Sequence, residues 1–112
     1  ADRNTRWGAI EGLAELGEPQ AAAALIPLLK HEDRTTRWKA ALALGRLEDK
    51  RAVDALIAAL EDGYLPVRRA AASALGAIGD KKAAAALKGR AADLDPALAA
   101  EAKRALGRLD AR

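Results

Sequence analysis

The side chains able to do chemistry are few, and nearly all of them stand alone. Among 112 residues there are one histidine, one tyrosine and no cysteine. Thiolate chemistry, disulfides and nucleophile–histidine pairs therefore have almost nothing to build on. One stretch has the composition of a site: His31-Glu32-Asp33, an imidazole followed by two carboxylates. A metal cage needs several ligands converging from different parts of a fold, and no second histidine is present to join this one. The stretch reads instead as a solvated helix end, where an imidazole also suits the helix dipole. No glycine-rich loop of the phosphate-cradling kind occurs. The sequence thus predicts no catalytic residue, no metal and no cofactor.

The other candidate chemistry is arginine. Arg6, Arg37 and Arg68 stand 31 residues apart, and the first two belong to nearly identical phrases, DRNTRW at 2–7 and DRTTRW at 33–38, which also hold both tryptophans. A row of guanidiniums could hold phosphates. Each arginine also lies within reach of acids near the next helix, so the expectation is a structural ladder. In it Arg6, Arg37 and Arg68 cap carbonyls or pair with Asp49, Asp80 and Glu18, using the fixed fork of donors that a guanidinium offers.

That spacing extends along the whole chain. Shifted by 31, Ala9, Ala40, Ala71 and Ala102 coincide, as do Leu13, Leu44, Leu75 and Leu106, with no insertion. Three full units and a half unit follow, approximately 2–32, 33–63, 64–94 and 95–112, within a single domain 1–112. Each unit reads as two helices. The first covers 3–16, 34–47, 65–78 and 96–109, capped by Asp2, Asp33 and Asp95 and followed by Gly17 or Gly79. The second covers 19–31, 50–61 and 81–92, with Pro19 at its start and Asp49 and Asp80 as caps. Hydrophobic residues form 51% of the chain but aromatics only 3%. Ala and Leu, the best helix formers, supply the bulk, and strands would want β-branched and aromatic residues. One such hairpin cannot enclose its own apolar stripe of Thr36, Ala40, Ala43, Leu44 and Leu47, so units must stack. Gly45, Gly76 and Gly107 recur beside that stripe, where a small residue admits a neighbouring helix closely.

The pattern VRRAAASALGAIGD at 67–80, followed by a helix such as AVDALIAALED at 52–62, resembles the short HEAT-like repeats of the phycobilisome-lyase (E-Z) type over essentially the whole chain. The resemblance implies an all-α fold, a right-handed α-solenoid of about three and a half hairpins and seven helices. Among HEAT-like enzymes, deoxyhypusine hydroxylases bind irons through several His-Glu pairs on successive repeats. This chain offers one such pair, and its equivalents are Asp62-Gly63 and Asp93-Leu94.

The resemblance further implies that the second helices line the concave side. Outward positions there are Gln20, Ala23, Pro27 and Lys30, then Arg51, Asp54, Ala58 and Glu61, then Lys82, Ala85 and Gly89. Small residues along the centre leave room for a partner helix or extended peptide, with rim charges orienting it. Pro27, inside the second helix of the first unit, is expected to kink it or free a carbonyl near Ala23. Trp7, Trp38 and Leu42 fall opposite the core stripe, as a convex interface or as packing between adjacent helices. Lys88, Arg90 and Lys103 replace apolar residues of earlier units, as expected of a terminal repeat facing water.

A formal charge of +3 is mild, and Asp54 and Glu61 interrupt the basic positions. The expectation is a non-catalytic scaffold for a protein or peptide partner, with self-association open and membrane binding unexpected. A nucleic-acid-binding module and a subunit of a chromophore lyase or other enzyme are the alternatives. A soluble, cytoplasmic setting fits this composition better than a secreted one.

Overall fold

The computed structural model describes residues 2–93 and 95–110, with the Asp110 side chain left out. The expectations for Leu94 and for the last two residues of the half unit lie outside the described residues. Among the described residues seven α-helices follow one another: α1 (Arg3–Leu16), α2 (Pro19–Leu25), α3 (Arg34–Leu47), α4 (Val53–Ala59), α5 (Leu65–Ile78), α6 (Ala84–Arg90) and α7 (Pro96–Asp110). They form an all-α solenoid with no strand among the described residues. Its extents of 38 × 28 × 17 Å are those of a slab rather than a ball, as stacking of flat units requires.

The long helices fall where the sequence places them, because their ends are fixed locally. Asp2 accepts the Thr5 N–H at 2.8 Å, Asp33 the Thr36 N–H at 3.1 Å and Asp95 the Leu98 N–H at 2.8 Å. Gly17 and Gly79 take the left-handed conformation that ends α1 and α5, whereas α3 ends on Glu48, a non-glycine residue at φ 52°. The second helices are shorter than expected. α4 and α6 are each preceded by a 3₁₀ turn, Lys50–Ala52 and Lys81–Ala83, capped by Asp49 and Asp80. α2 stops at Leu25, and Ile26–Lys30 continues it as a 3₁₀ turn. Pro27 is the cause, because it has no N–H for the carbonyl four residues back.

The long helices form one layer, α1 on α3, α3 on α5 and α5 on α7, with the short helices behind them. Each short helix leans on the long helix that follows it, α4 on α5 and α6 on α7, and the short helices touch one another sparsely. The close layer depends on glycine. A Cβ on Gly45 would lie 3.1 Å from the Ala74 Cα, and one on Gly76 only 2.9 Å from the Ala105 Cα. Gly107, the third member of the set, meets nothing, since no helix covers that flank of α7 among the described residues. The same logic separates the alanines: Ala40, Ala71 and Ala102 are fully buried between units, while Ala9 on the open flank of α1 is exposed. Lys103 is likewise exposed where Ala41 and Ala72 are buried.

Gly76→Ala is expected to destabilise the fold by about 1–3 kcal/mol despite the better helix propensity of alanine, because the added methyl meets backbone. Gly107→Ala, in open space, is expected to gain up to about 0.5 kcal/mol. Urea denaturation of both variants against the parent checks the contrast.

Candidate functional site

The His31-Glu32-Asp33 stretch separates into three side chains with three different tasks. His31 Nδ1 accepts the backbone N–H of Asp33 at 3.0 Å. One unit on, Asp62 Oδ1 accepts the N–H of Tyr64 at 2.9 Å, and Asp93 Oδ1 accepts that of Asp95 at 2.9 Å. The imidazole therefore does what an aspartate does at the two equivalent turns, using a ring nitrogen as the local acceptor. Glu32 is exposed to solvent. Asp33 caps α3. Among the described residues no group of three or more His, Asp and Glu side chains could hold a metal ion.

Arg37 and Arg68 donate to carbonyls, one of the two expected modes, but none of the three arginines pairs with Asp49, Asp80 or Glu18 among the described residues. Arg37 donates to both carboxylate oxygens of Asp62, at 2.9 and 3.3 Å, and to the carbonyls of His31 and Glu32 at 2.9 and 3.2 Å. Arg68 donates to the Asp62 carbonyl at 2.6 Å, and Arg6 to the Thr36 hydroxyl at 3.4 Å. Asp49 and Asp80 instead cap their own 3₁₀ turns, and Asp49 also pairs with Arg51 at 2.7 Å. The reason is the path of the chain: the arginines sit at the start of the long helices, beside the turns at 31–33 and 62–64. Asp49 and Asp80 lie at the other end of those helices. Spacing alone could not distinguish the two ends.

The first inter-unit contact is polar where the later ones are apolar. Thr36 is fully buried, whereas its equivalents Val67 and Leu98 are aliphatic. Its hydroxyl donates to Asp33 Oδ2 at 2.7 Å and accepts from the Trp7 indole N–H at 3.2 Å and from Arg6. The Thr36 hydroxyl above all, then the Thr36 N–H and the nearby Arg3 and Arg6 charges, hold the Asp33 carboxyl below its ordinary pKa. Asp2 is lowered in the same direction by the Thr5 N–H, and Asp49 by the Arg51 side chain.

Both tryptophans are half-buried against the core, Trp7 in the groove between α1 and α3. The Lys39 ammonium lies between them, 5.4 Å from the Trp7 ring and 5.7 Å from the Trp38 ring, and pairs with Glu11 at 3.4 Å. Leu42, one turn on, is 42% exposed. Around it open three shallow depressions: one of about 320 Å³ between α1 and α3, and two of about 390 and 240 Å³ between α3 and α5. Leu42 borders all three. Trp38 and Leu42 were readable as one surface, but the convergence of depressions on Leu42 follows from how far apart the long helices stand.

On the other layer, Gln20, Ala23, Pro27, Lys30, Arg51, Asp54, Ala58, Glu61, Lys82, Ala85 and Gly89 are all exposed. The row is not uniform. Lys82, in the 3₁₀ turn before α6, pairs with Asp54 of α4 at 2.6 Å, and Arg90 of α6 with Glu61, just after α4, at 3.0 Å, so two ion pairs join these neighbouring segments. The corresponding positions between α2 and α4 are Ala23 with Arg51 and Lys30 with Ala59, which cannot pair. There an open groove of about 920 Å³ remains, floored by Ile26, Pro27, Leu29, Ala55, Ala58 and Ala59, with His31, Arg37 and Asp62 at one end.

Because the Asp33 pKa is lowered in the folded state, its contribution to stability is present above the unfolded value of about 3.8 and is lost as pH falls through the folded value. Asp33→Asn keeps a capping oxygen but cannot titrate, so it is expected to lose less stability than the parent between pH 7 and pH 3, measured by urea midpoints. A second expectation concerns the turn: His31→Asp should leave stability within about 0.5 kcal/mol, whereas His31→Ala should cost about 0.5–1.5 kcal/mol.

Comparison with known proteins follows this geometry. The chain is 30% identical to human deoxyhypusine hydroxylase, solved in complex with glycerol, at a TM-score of 0.85 over 98% of this chain and 39% of that one. It is 29% identical to a chain of the CpcE–CpcF complex of phycocyanin lyase from Nostoc sp. PCC7120, with a TM-score of 0.83 over 95% of this chain and 44% of that one. An engineered protein shares the fold, with a TM-score of 0.74 and 22% identity over 99% of this chain and 58% of the other. The chain thus spans less than two thirds of each of these proteins. A direct comparison with curated protein sequences gives no match. No helix among the described residues is long and apolar enough to cross a membrane. The sequence profile of HEAT repeats matches residues 1–75 and 49–107, and with that match and the stacked hairpins together, the chain belongs to the HEAT-repeat family.

Proposed function

We propose that this domain is a non-catalytic scaffold that binds a protein or peptide partner through the long-helix face bearing Trp38 and Leu42. The observation that carries the reading is the convergence of three depressions on Leu42, an exposed leucine one turn from half-buried Trp38. A large apolar side chain held in that position, ringed by polar groups, is the usual anatomy of a binding hot spot. The non-catalytic part rests on the use of the reactive groups: His31 is committed to its turn, and the Tyr64 ring lies under the Arg34 guanidinium at 4.7 Å.

The groove of about 920 Å³ between α2 and α4 supports a second reading, a peptide site on the short-helix face. Its floor is apolar, and the Arg37–Asp62 ion pair stands at one end of it. The likeness to a chain of a lyase complex supports assembly with another protein in either case. Nucleic acid is disfavoured on both faces by interleaved acids, Glu11, Glu15 and Glu101 on one and Asp54 and Glu61 on the other.

Panning a random peptide library against the protein tests the choice of face. Leu42→Asp, an exposed and therefore tolerated change, is expected to weaken selected peptides at least tenfold, a loss of about 1.4 kcal/mol or more. Ala58→Arg, in the other groove, is expected to leave them within twofold. The opposite pattern assigns binding to the short-helix groove.

A further inference from the structure

On the strength of the long-helix face as the binding surface, we infer that its partner is an amphipathic helix whose apolar anchors straddle Leu42 and whose flanks toward α5 are acidic. Two observations carry this: the spacing of the depressions, and the pairing state of the charges around them.

The spacing comes first. One depression lies between α1 and α3, and the others between α3 and α5. Neighbouring helix axes stand about 8–10 Å apart, so depressions on opposite sides of α3 are separated by about that distance. Residues seven apart on a helix lie about 10.5 Å apart on one face. An incoming helix laid across α1, α3 and α5 can therefore place one apolar side chain on each side of Leu42. The floors, Ala14 and Ala43 on one side and Ala70 and Ala74 on the other, are small enough to admit them.

The charges then set what surrounds those anchors. Lys39 is already engaged, by Glu11 and by two indole rings, and Glu101 is held by Arg104 at 2.6 Å. Arg46 and Arg69, by contrast, are exposed and make no ion pair or hydrogen bond among the described residues. Arg46 borders a depression on each side of Leu42, and Arg69 borders the one that Trp38 walls. Two free guanidiniums beside an apolar anchor point favour carboxylates on the partner, each able to accept two parallel hydrogen bonds. Glu15, at the α1 edge, is the one unpaired acid among the residues that border these depressions, so the acidic flank of the partner is assigned to the α5 side only.

The test uses three fluorescein-labelled helical peptides with leucines at i and i+7 and with Glu, Gln or Lys at the flanking positions. They are titrated by anisotropy against the parent protein, Leu42→Asp and an Arg46→Glu/Arg69→Glu double variant. The expected result is that the Glu peptide binds the parent at least tenfold more tightly than the Gln or Lys peptide. In the double variant the order of the Glu and Lys peptides should invert, and Leu42→Asp should abolish binding of all three. Equal or tighter binding of the Gln or Lys peptide to the parent overturns the acidic assignment; if that binding is still lost in Leu42→Asp, the face itself stands. Binding that survives Leu42→Asp overturns both. No binding by any of the three overturns the helix assignment, while the library panning still judges the face. A labelled 12-nucleotide single strand that binds more tightly than the Glu peptide, and displaces it, reassigns the face to nucleic acid.

Discussion

A hairpin of this protein is apolar on both flanks, and neither flank can be closed by the hairpin itself. Everything else in the structure follows from the way successive long helices cover one another. The covering is close because Gly45 and Gly76 receive Ala74 and Ala105 with almost no space to spare. At such a crossing the backbone is the packing surface, and dispersion between backbones and methyl groups replaces the interlocking of large side chains. This explains how a chain with no phenylalanine and few aromatics fills its interior. Where no neighbour covers a flank, the same residue types end in solvent: Ala9 is exposed, and Leu16 is 67% exposed although its equivalents Ile78 and Leu109 are buried.

Apolar covering alone would leave the units free to slide, and the turns between them restrict this. Three turns share one device, a side-chain acceptor at 31, 62 or 93 that binds the N–H two residues later. Arg37 then links one turn to the next, donating to the carbonyls of the first and the carboxylate of the second. Such charge-assisted, part-buried bonds are directional, which makes them suited to fixing register more than to adding stability. The first contact adds the Asp33–Thr36–Trp7 chain, a polar link where the later contacts hold Val67 and Leu98. The repeat is thus regular in backbone and individual in its side chains.

That individuality is what a binding surface draws on. Positions that the fold leaves wholly or partly open are where the units differ: Trp7, Trp38 and Arg69 occupy one row, and Gly8 and Lys39 stand in the next, whose third member Ala70 is buried. Lys39 inserts its ammonium between two indoles and so holds both rings in place without enclosing them. On the opposite layer, a similar variation decides whether neighbouring short helices are tied together or apart. Asp54 and Glu61 find Lys82 and Arg90 across the α4–α6 gap. Ala23 and Lys30 make no such ion pair across the α2–α4 gap among the described residues, where Arg51 donates instead to the Pro19 carbonyl.

The residues that determine their own neighbourhood were legible in the sequence. Asp33 caps α3 because its oxygen needs only the amide three residues on, and Gly17 and Gly79 end their helices because only glycine enters the left-handed region without penalty. The 31-residue period and the buried stripe follow from helix geometry alone. Pairings between units were not legible. Arg37 reaches Asp62 rather than Asp49, and Leu42 borders three depressions at once. Each depends on the distance and angle between hairpins, which arise from the sum of many glycine and alanine contacts across separate helices. No local rule contains that sum, and so tertiary packing alone decided which side chains would meet and which would remain free to bind.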